Sequence, residues 1–245
     1  MRKIILLLGV IIMTIATHVV LGQPAEGVIT YEVRINVHRT LPPDREGMKA
    51  MVPEFRTFKQ QLFFNPDESL YKPLIEEEDD EQMEGGGGRT RMRFRQRLEV
   101  YCNQSSGKIT SMQDIMGKNY LIDDSVKVAP WKLGAETKTV QGYECKQAYY
   151  TDEERKQTIT AWYTDQLRPL LGPDLFNTLP GAVLAVDINN GERVLVATKI
   201  VLRPLKKNEL KEPTNGQRTT QAEFRKMRDE RMKSMRNNGN VIIRN

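Results

Sequence analysis

A mainly β, exported domain is predicted by three features of this 245-residue chain. They are an apolar leader behind two basic residues, a succession of strand-length segments with period-two alternation, and glycine dipeptides at hairpin spacing. The architecture expected is an antiparallel meander forming a curved open sheet or half-barrel with one apolar face, followed by a C-terminal basic helix or tail.

The leader comes first. Arg2 and Lys3 precede an apolar run over 4–21 that is broken only by Gly9, Thr14, Thr17 and His18, and Val20-Leu21-Gly22 offers small residues for cleavage before Gln23. Residues 1–22 are therefore read as a signal peptide that sends the chain to the periplasm or cell envelope. The run is slightly longer than usual, so an uncleaved N-terminal anchor is the competing reading. No cysteine follows it, which argues against lipid attachment there. Removal of the leader leaves 223 residues, the size of one domain with decorations.

In the β domain, residues 23–202, the clearest strand places Ile29, Tyr31, Val33, Ile35 and Val37 on one face and Thr30, Glu32, Arg34 and Asn36 on the other. Further strands are expected over 57–64, 92–102, 108–114, 119–123, 136–140, 143–150, 157–164, 182–188 and 193–202. Asn190-Gly191 is a strong hairpin signal between the last two, and Gln141-Gly142 a weaker one. Residues 76–90 break the pattern. The acidic block over 76–81 and the four glycines at 85–88 read as a disordered insertion, since the block lacks the glycine and alternating ligand spacing of a calcium loop.

Residues 203–245 form the basic tail, with twelve Lys/Arg against five Asp/Glu, a balance of +7 in a chain of net +5. Thr220 and Glu223 have capping-box spacing, and a helix is expected over 220–236 with Phe224, Met227 and Met235 on one side among basic residues. Such a helix would dock on an anionic membrane surface or a partner; a partly frayed solvated tail is the plainer alternative. Val241-Ile242-Ile243 reads as a short segment able to join a sheet edge.

Chemistry is restricted. His38 is the one histidine beyond the leader, which excludes a multi-histidine zinc site and leaves little for a histidine-assisted nucleophile. There is no Gly-x-Ser-x-Gly elbow, phosphate loop or Cys-x-x-Cys. Asp123-Asp124 and Glu153-Glu154 are expected in turns, where acidic residues are routine. A non-enzymatic protein without metal or cofactor is expected, and one without a nucleic-acid partner because no aromatic stacking pattern accompanies the basic tail. Cys102 and Cys145 lie in the exported part, so a disulfide worth about 4 kcal/mol is expected, with two buried free thiols as the alternative.

From Gly117-Lys118-Asn119-Tyr120-Leu121-Ile122 through Trp131-Lys132-Leu133, Glu136-Thr137-Lys138, Gly142-Tyr143-Glu144-Cys145-Lys146-Gln147-Ala148 and Ala161-Trp162-Tyr163-Thr164 to Gly172-Pro173 and Leu179-Pro180-Gly181, the chain resembles the GLPGLI family of exported Bacteroidetes envelope proteins. The likeness covers most of 119–202. Thr178 stands for the first glycine of the signature and Ala182-Val183 for its last Leu-Ile. The resemblance implies an exported, mainly β protein and supplies no catalytic residue.

Two roles suit the signature. Pro180 and Gly181 set a turn that feeds the next strand. Alternatively Trp162, Tyr163, Leu171, Pro173, Phe176, Leu179, Pro180 and Gly181, with Leu170 and Leu175 in the same loop, make an apolar rim for a lipid, peptide or envelope protein. Trp131 and Tyr143 are placed either with that rim or in the core. The function expected is a binding or chaperone-like module of the envelope; the alternative is an interaction protein that docks through its basic helix.

Overall fold

Alternation, turn glycines and three register shifts shape one large sheet. The computed structural model describes residues 26–75, 98–115 and 117–237; the leader, the insertion at 76–90 and Val241-Ile242-Ile243 lie outside them. The strands are β1 (Gly27–Asn36), β2 (Phe55–Phe64), β3 (Glu68–Pro73), β4 (Glu99–Asn103), β5 (Lys108–Ile115), β6 (Lys118–Ser125), β7 (Lys132–Val140), β8 (Tyr143–Asp152), β9 (Gln157–Thr164), β10 (Ala182–Ile188), β11 (Arg193–Leu202) and β12 (Gln217–Thr219). Their order in the sheet is β12-β6-β5-β4-β3-β2-β1-β11-β10-β9-β8-β7. Two antiparallel meanders, β1–β6 and β7–β11, thus meet where β1 pairs with β11.

The turns follow their residues. Asn189, Asn190 and Gly191 at the β10–β11 hairpin and Gln141-Gly142 at β7–β8 all adopt positive φ, which the right-handed twist of the flanking strands demands of a tight turn. Val37 leaves the sheet that its alternation predicts for it. The Asn36 side chain accepts a hydrogen bond from the Arg39 backbone N–H and caps a four-residue helix, α1 (Val37–Thr40).

Curvature follows from chain length. Strands β6 and β7 stand at opposite ends of eleven neighbouring strands, about 48 Å apart if the sheet were flat. The link between Ser125 and Lys132 reaches about 25 Å at most. The sheet is therefore curled, with bulges at Thr30/Tyr31 and Val183/Ala185 assisting, but it does not close into a barrel. Arg225 of α2 (Gln221–Asn237) forms an ion pair with Glu154 in the β8–β9 turn across the gap.

The concave face holds the core. Ile29, Tyr31, Val33 and Ile35 pack with Leu62, Phe64 and Tyr71 on one side and with Ile159, Ala161, Val186 and Leu195 on the other. At the β6 end, Tyr120 and Ile122 receive Phe224 of α2, its ring edge-on to Tyr120 at 5.8 Å. The helix begins with the expected capping box: the Thr220 N–H donates to Glu223 and the Glu223 N–H to the Thr220 hydroxyl.

Three further features depart from the sequence reading. The meander is not wholly antiparallel, because β12 pairs parallel with β6. β3, which ends at Pro73 beside the acidic block, carries too little alternation to be recognised. Finally, the apolar side is not the only covered one. Residues 203–216 travel from β11 to β12 over the outer face, where Lys72 donates to the Glu209 carbonyl and Lys108 and Thr110 bind the Glu212 carboxylate at 2.6 and 2.9 Å.

Candidate functional site

The loop between β9 and β10, residues 165–181, carries the family-like signature, and it folds inward. Leu167, Leu171 and Leu179 are fully buried and join the main core, as does Tyr163; Pro173 and Gly181 are buried as well. The expected apolar rim is therefore a plug. Of its residues only Pro180 is exposed, with Trp162 and Phe176 half-buried, and the loop shows solvent only Leu170 and Leu175 as large apolar groups. Apolar residues spaced through a short loop over a concave core are drawn inside, since burying each fully contributes about 1.5–3 kcal/mol. Trp131 and Tyr143 are partly buried against the same core.

Polar contacts hold the plug in place. Gln104 donates to the Leu170 carbonyl at 2.9 Å, Arg168 to the Pro66 carbonyl at 3.1 Å, and Trp131 Nε1 to the Thr178 hydroxyl at 3.0 Å. Thr178 is thus a hydrogen-bond partner. Asp174 pairs with Arg193 of β11 at 3.4 Å. The Tyr31 hydroxyl donates to the Val183 carbonyl at 2.7 Å and ties β1 to the strand that leaves the plug. Burial raises the pKa of both Tyr31 and its edge-on neighbour Tyr71, so these phenols stay neutral.

Gly181 serves differently from expectation. Its φ is not positive; instead, a Cβ there would lie 2.2 Å from the Thr164 carbonyl oxygen and 3.0 Å from the Tyr163 ring. The glycine allows close backbone approach.

The expected disulfide is absent: Cys102 and Cys145 are both free and buried. Each thiol has different neighbours. Gln104 reaches Cys102 Sγ at 3.5 Å, with Arg168 nearby, whereas Cys145 lies beside the Val140 backbone and Lys138. Burial pushes both thiols up in pKa, which keeps them protonated and unreactive.

The polar residues considered for chemistry are used structurally. The His38 ring nitrogen bonds the Val52 carbonyl at 3.0 Å. Asp123 takes Arg218 and Thr110, Asp124 takes Lys127 at 2.7 Å, and Glu154 takes Arg225. Among the described residues, no three His, Cys, Asp or Glu side chains gather as a metal site.

What sequence reasoning missed is a groove of about 550 Å³ on the opposite, outer face. Alternation puts it there. Ile159, Ala161 and Tyr163 of β9 turn into the core, so Thr158, Thr160 and Trp162 turn outward, with Gln147 paired across from Trp162 and Asp187 across from Thr160. Glu136 of β7 closes one end by accepting a 2.9 Å bond from Gln147, and Asn189 and Asn190 form the other. This second end is rigid. Arg39 donates to both asparagine carbonyls at 2.7 Å, the Asn189 side chain accepts from the Thr158 N–H at 3.0 Å, and Asp187 accepts from the Gly191 N–H at 2.6 Å. Lys138 places its ammonium 3.3 Å from the centre of the Trp162 ring. Burial there lowers the Lys138 pKa, while the Cys145 thiol and the Asp187 carboxylate oppose the shift. One signal was legible: polar Thr158 and Thr160 alternate with buried residues, and Trp162 continues their row.

Comparison with protein-family models and with curated protein sequences gives no match. Solved structures do match in fold. A structure of PNGF-II in a P21 crystal form aligns with a TM-score of 0.54 at 17% identity over 83% of this chain, and one in a C2 form with 0.54 at 18% over 82%. The chain spans about a third of the length of those proteins, 33% and 32%. At such identity the likeness concerns the fold alone.

Proposed function

We propose that this chain is a non-enzymatic, exported envelope protein of the GLPGLI type, a binding module whose ligand surface is the outer groove. The observation that carries this reading is the division between the faces: the concave side is filled by the chain's own Leu167, Leu171 and Leu179, while an open polar groove lies on the other side. A pre-formed concavity lined by a few fixed polar groups and one aromatic ring suits ligand recognition. In the groove, the asparagine carbonyls and one oxygen of Asp187 are already engaged, so the lining is held in position before any ligand arrives.

The experiment uses the secreted chain from residue 23, titrated with the apolar fluorophore 1-N-phenylnaphthylamine. A groove binder with a filled bowl gives no saturable one-to-one enhancement at micromolar probe; stoichiometric enhancement would return the ligand to the concave face and sink this reading. Fractionation of the tagged full-length chain tests export, with recovery in the cytoplasm as the contrary result.

A second reading, docking on an anionic membrane surface through α2, is supported by the outward Lys226, Arg228, Arg231 and Lys233. Phe224 is committed to Tyr120 and Ile122, so the contact would be electrostatic rather than inserted. Co-sedimentation with vesicles containing 30 mol% phosphatidylserine should then be abolished by 0.5 M salt, and salt-insensitive or absent binding counts against it.

A further inference from the structure

Of the eight residues lining the outer groove, two are carboxylates, Glu136 and Asp187, and none is cationic. The others are amides, hydroxyls and the Trp162 indole. An indole face attracts a cation through its quadrupole, and more strongly where water is partly excluded. The chain supplies such a cation itself: the Lys138 ammonium sits 3.3 Å from the ring centre and within electrostatic reach of Asp187. Lys138 belongs to the edge strand β7 and reaches the ring on a flexible four-carbon stem. About 550 Å³ of groove remains open beside it.

Resting on the reading that the groove is the ligand surface, we propose that it recognises an alkylammonium group, in which Trp162 supplies the aromatic face, Asp187 and Glu136 the counter-charge, and Lys138 is a resident occupant that the ligand displaces. Two sources share this chemistry, a free amine and a lysine side chain in a peptide. A lysine side chain brings flanking amides that Gln147 and the Asn190 side chain are placed to meet, whereas a free amine uses the charge and the ring alone.

The resident lysine gives the proposal a signature that simple charge attraction lacks. Lys138→Met removes the resident positive charge from the ring, so an ammonium ligand should bind up to about fivefold more tightly, the value of one exposed cation–π contact. Asp187→Asn keeps the acceptor for the Gly191 N–H and should weaken binding by a similar factor. Both substitutions lie on the surface of a formed sheet, and a matching nuclear magnetic resonance spectrum of each variant confirms the fold.

The probes are n-butylammonium, the blocked tripeptide acetyl-Gly-Lys-Gly-amide, and the same tripeptide with norleucine for lysine. The readout is the shift of the Trp162 indole N–H at low ionic strength, assigned by comparison with Trp131→Phe. The expected result is millimolar binding of both cations, opposite effects of the two variants, and no response to the norleucine peptide. A tripeptide tighter than butylammonium assigns the source as a peptide, and equal affinities assign a free amine. If the norleucine peptide shifts the indole as much as its lysine counterpart, or if Lys138→Met weakens binding, the cation assignment falls while the groove reading stands. No shift with any cation overturns the proposal outright, and stoichiometric uptake of the apolar fluorophore refutes the groove reading separately.

Discussion

Gly181→Ala is the substitution that most directly separates two roles for the signature. The added methyl would sit 2.2 Å from the Thr164 carbonyl oxygen and 2.7 Å from its carbonyl carbon, where an ordinary contact is about 3.5 Å. Backbone must move by about 1 Å at Ala182↔Thr164, the first pair of the β9–β10 ladder. Neither side can yield cheaply, because Tyr163 is buried on the adjoining position and Val183 is held by Tyr31. Overpacking of this kind costs about 1–3 kcal/mol, and a lost ladder bond adds about 1. The expected destabilisation is therefore about 2–4 kcal/mol, read as a lower urea midpoint at unchanged slope. Gly142 is the control. There φ is +83° and nothing lies within 4 Å of an added Cβ, so its requirement is conformational. Asparagine, which tolerates left-handed backbone, should be accepted at 142 at little cost and rejected at 181. A Gly181→Asn protein as stable as the Gly142→Asn protein would refute the steric argument.

Three other outcomes follow from the same packing. Leu171→Ala should cost about 2–5 kcal/mol in chemical denaturation and leave an apolar cavity under the plug, so that 1-N-phenylnaphthylamine binds the variant but not the native chain; no gain of probe binding would mean the loop collapses onto the core. Arg203 hydrogen-bonds the Glu209 carboxylate and holds its pKa at about 2, below the usual 4.5. A depressed carboxyl contributes its stability fully above pH 4.5 and loses it as pH falls through about 2. The melting-temperature gap between the native chain and Glu209→Gln should thus be constant from pH 8 to 6 and close towards pH 2; a gap that persists at pH 2 would contradict the ion pair. Finally, Ellman's reagent should find no reactive thiol in the native chain and two after denaturation, with a mass showing both cysteines reduced; a mass 2 Da lower would restore the disulfide.

Strand positions were legible where one face is wet. The strands expected over 157–164, 182–188 and 193–202 match β9, β10 and β11 to the residue and 143–150 falls within β8, whereas 136–140 covers only the second part of β7; in β8 and β9 outward threonines and charges mark the period against a buried face. β12 is invisible for the opposite reason: three polar residues, Gln217, Arg218 and Thr219, gain strand geometry only by pairing with β6. The plug was misread because its leucines look the same in sequence whether they rim an opening or fill it. Only the curl of the sheet, fixed by the short link from β6 to β7, decides that they go inside. Cys102 and Cys145 carry the same ambiguity, since an even count says nothing about whether the two thiols face a common neighbour.

Topology also explains why the groove lies where it does. On the concave side of a curled sheet, side chains converge and exclude space, and on the convex side they diverge and leave channels between rows. Residues 203–216 cover part of that convex side. These leave β11 beside β1, where Arg203 donates its backbone N–H to the Glu26 carbonyl, and run over the first meander to β12, fastened by Lys72 on the Glu209 carbonyl and Lys108 on the Glu212 carboxylate. The second meander, β7–β10, lies on the other side of β11, away from the strands that Glu209 and Glu212 contact. The outer face of these strands carries Glu136, Gln147, Trp162 and Asp187. A chain that returned from β11 over β10 instead would cover the groove and expose Lys72, Lys108 and Thr110. The direction of a fourteen-residue crossover, rather than any single side chain, therefore selects which surface is presented to a partner.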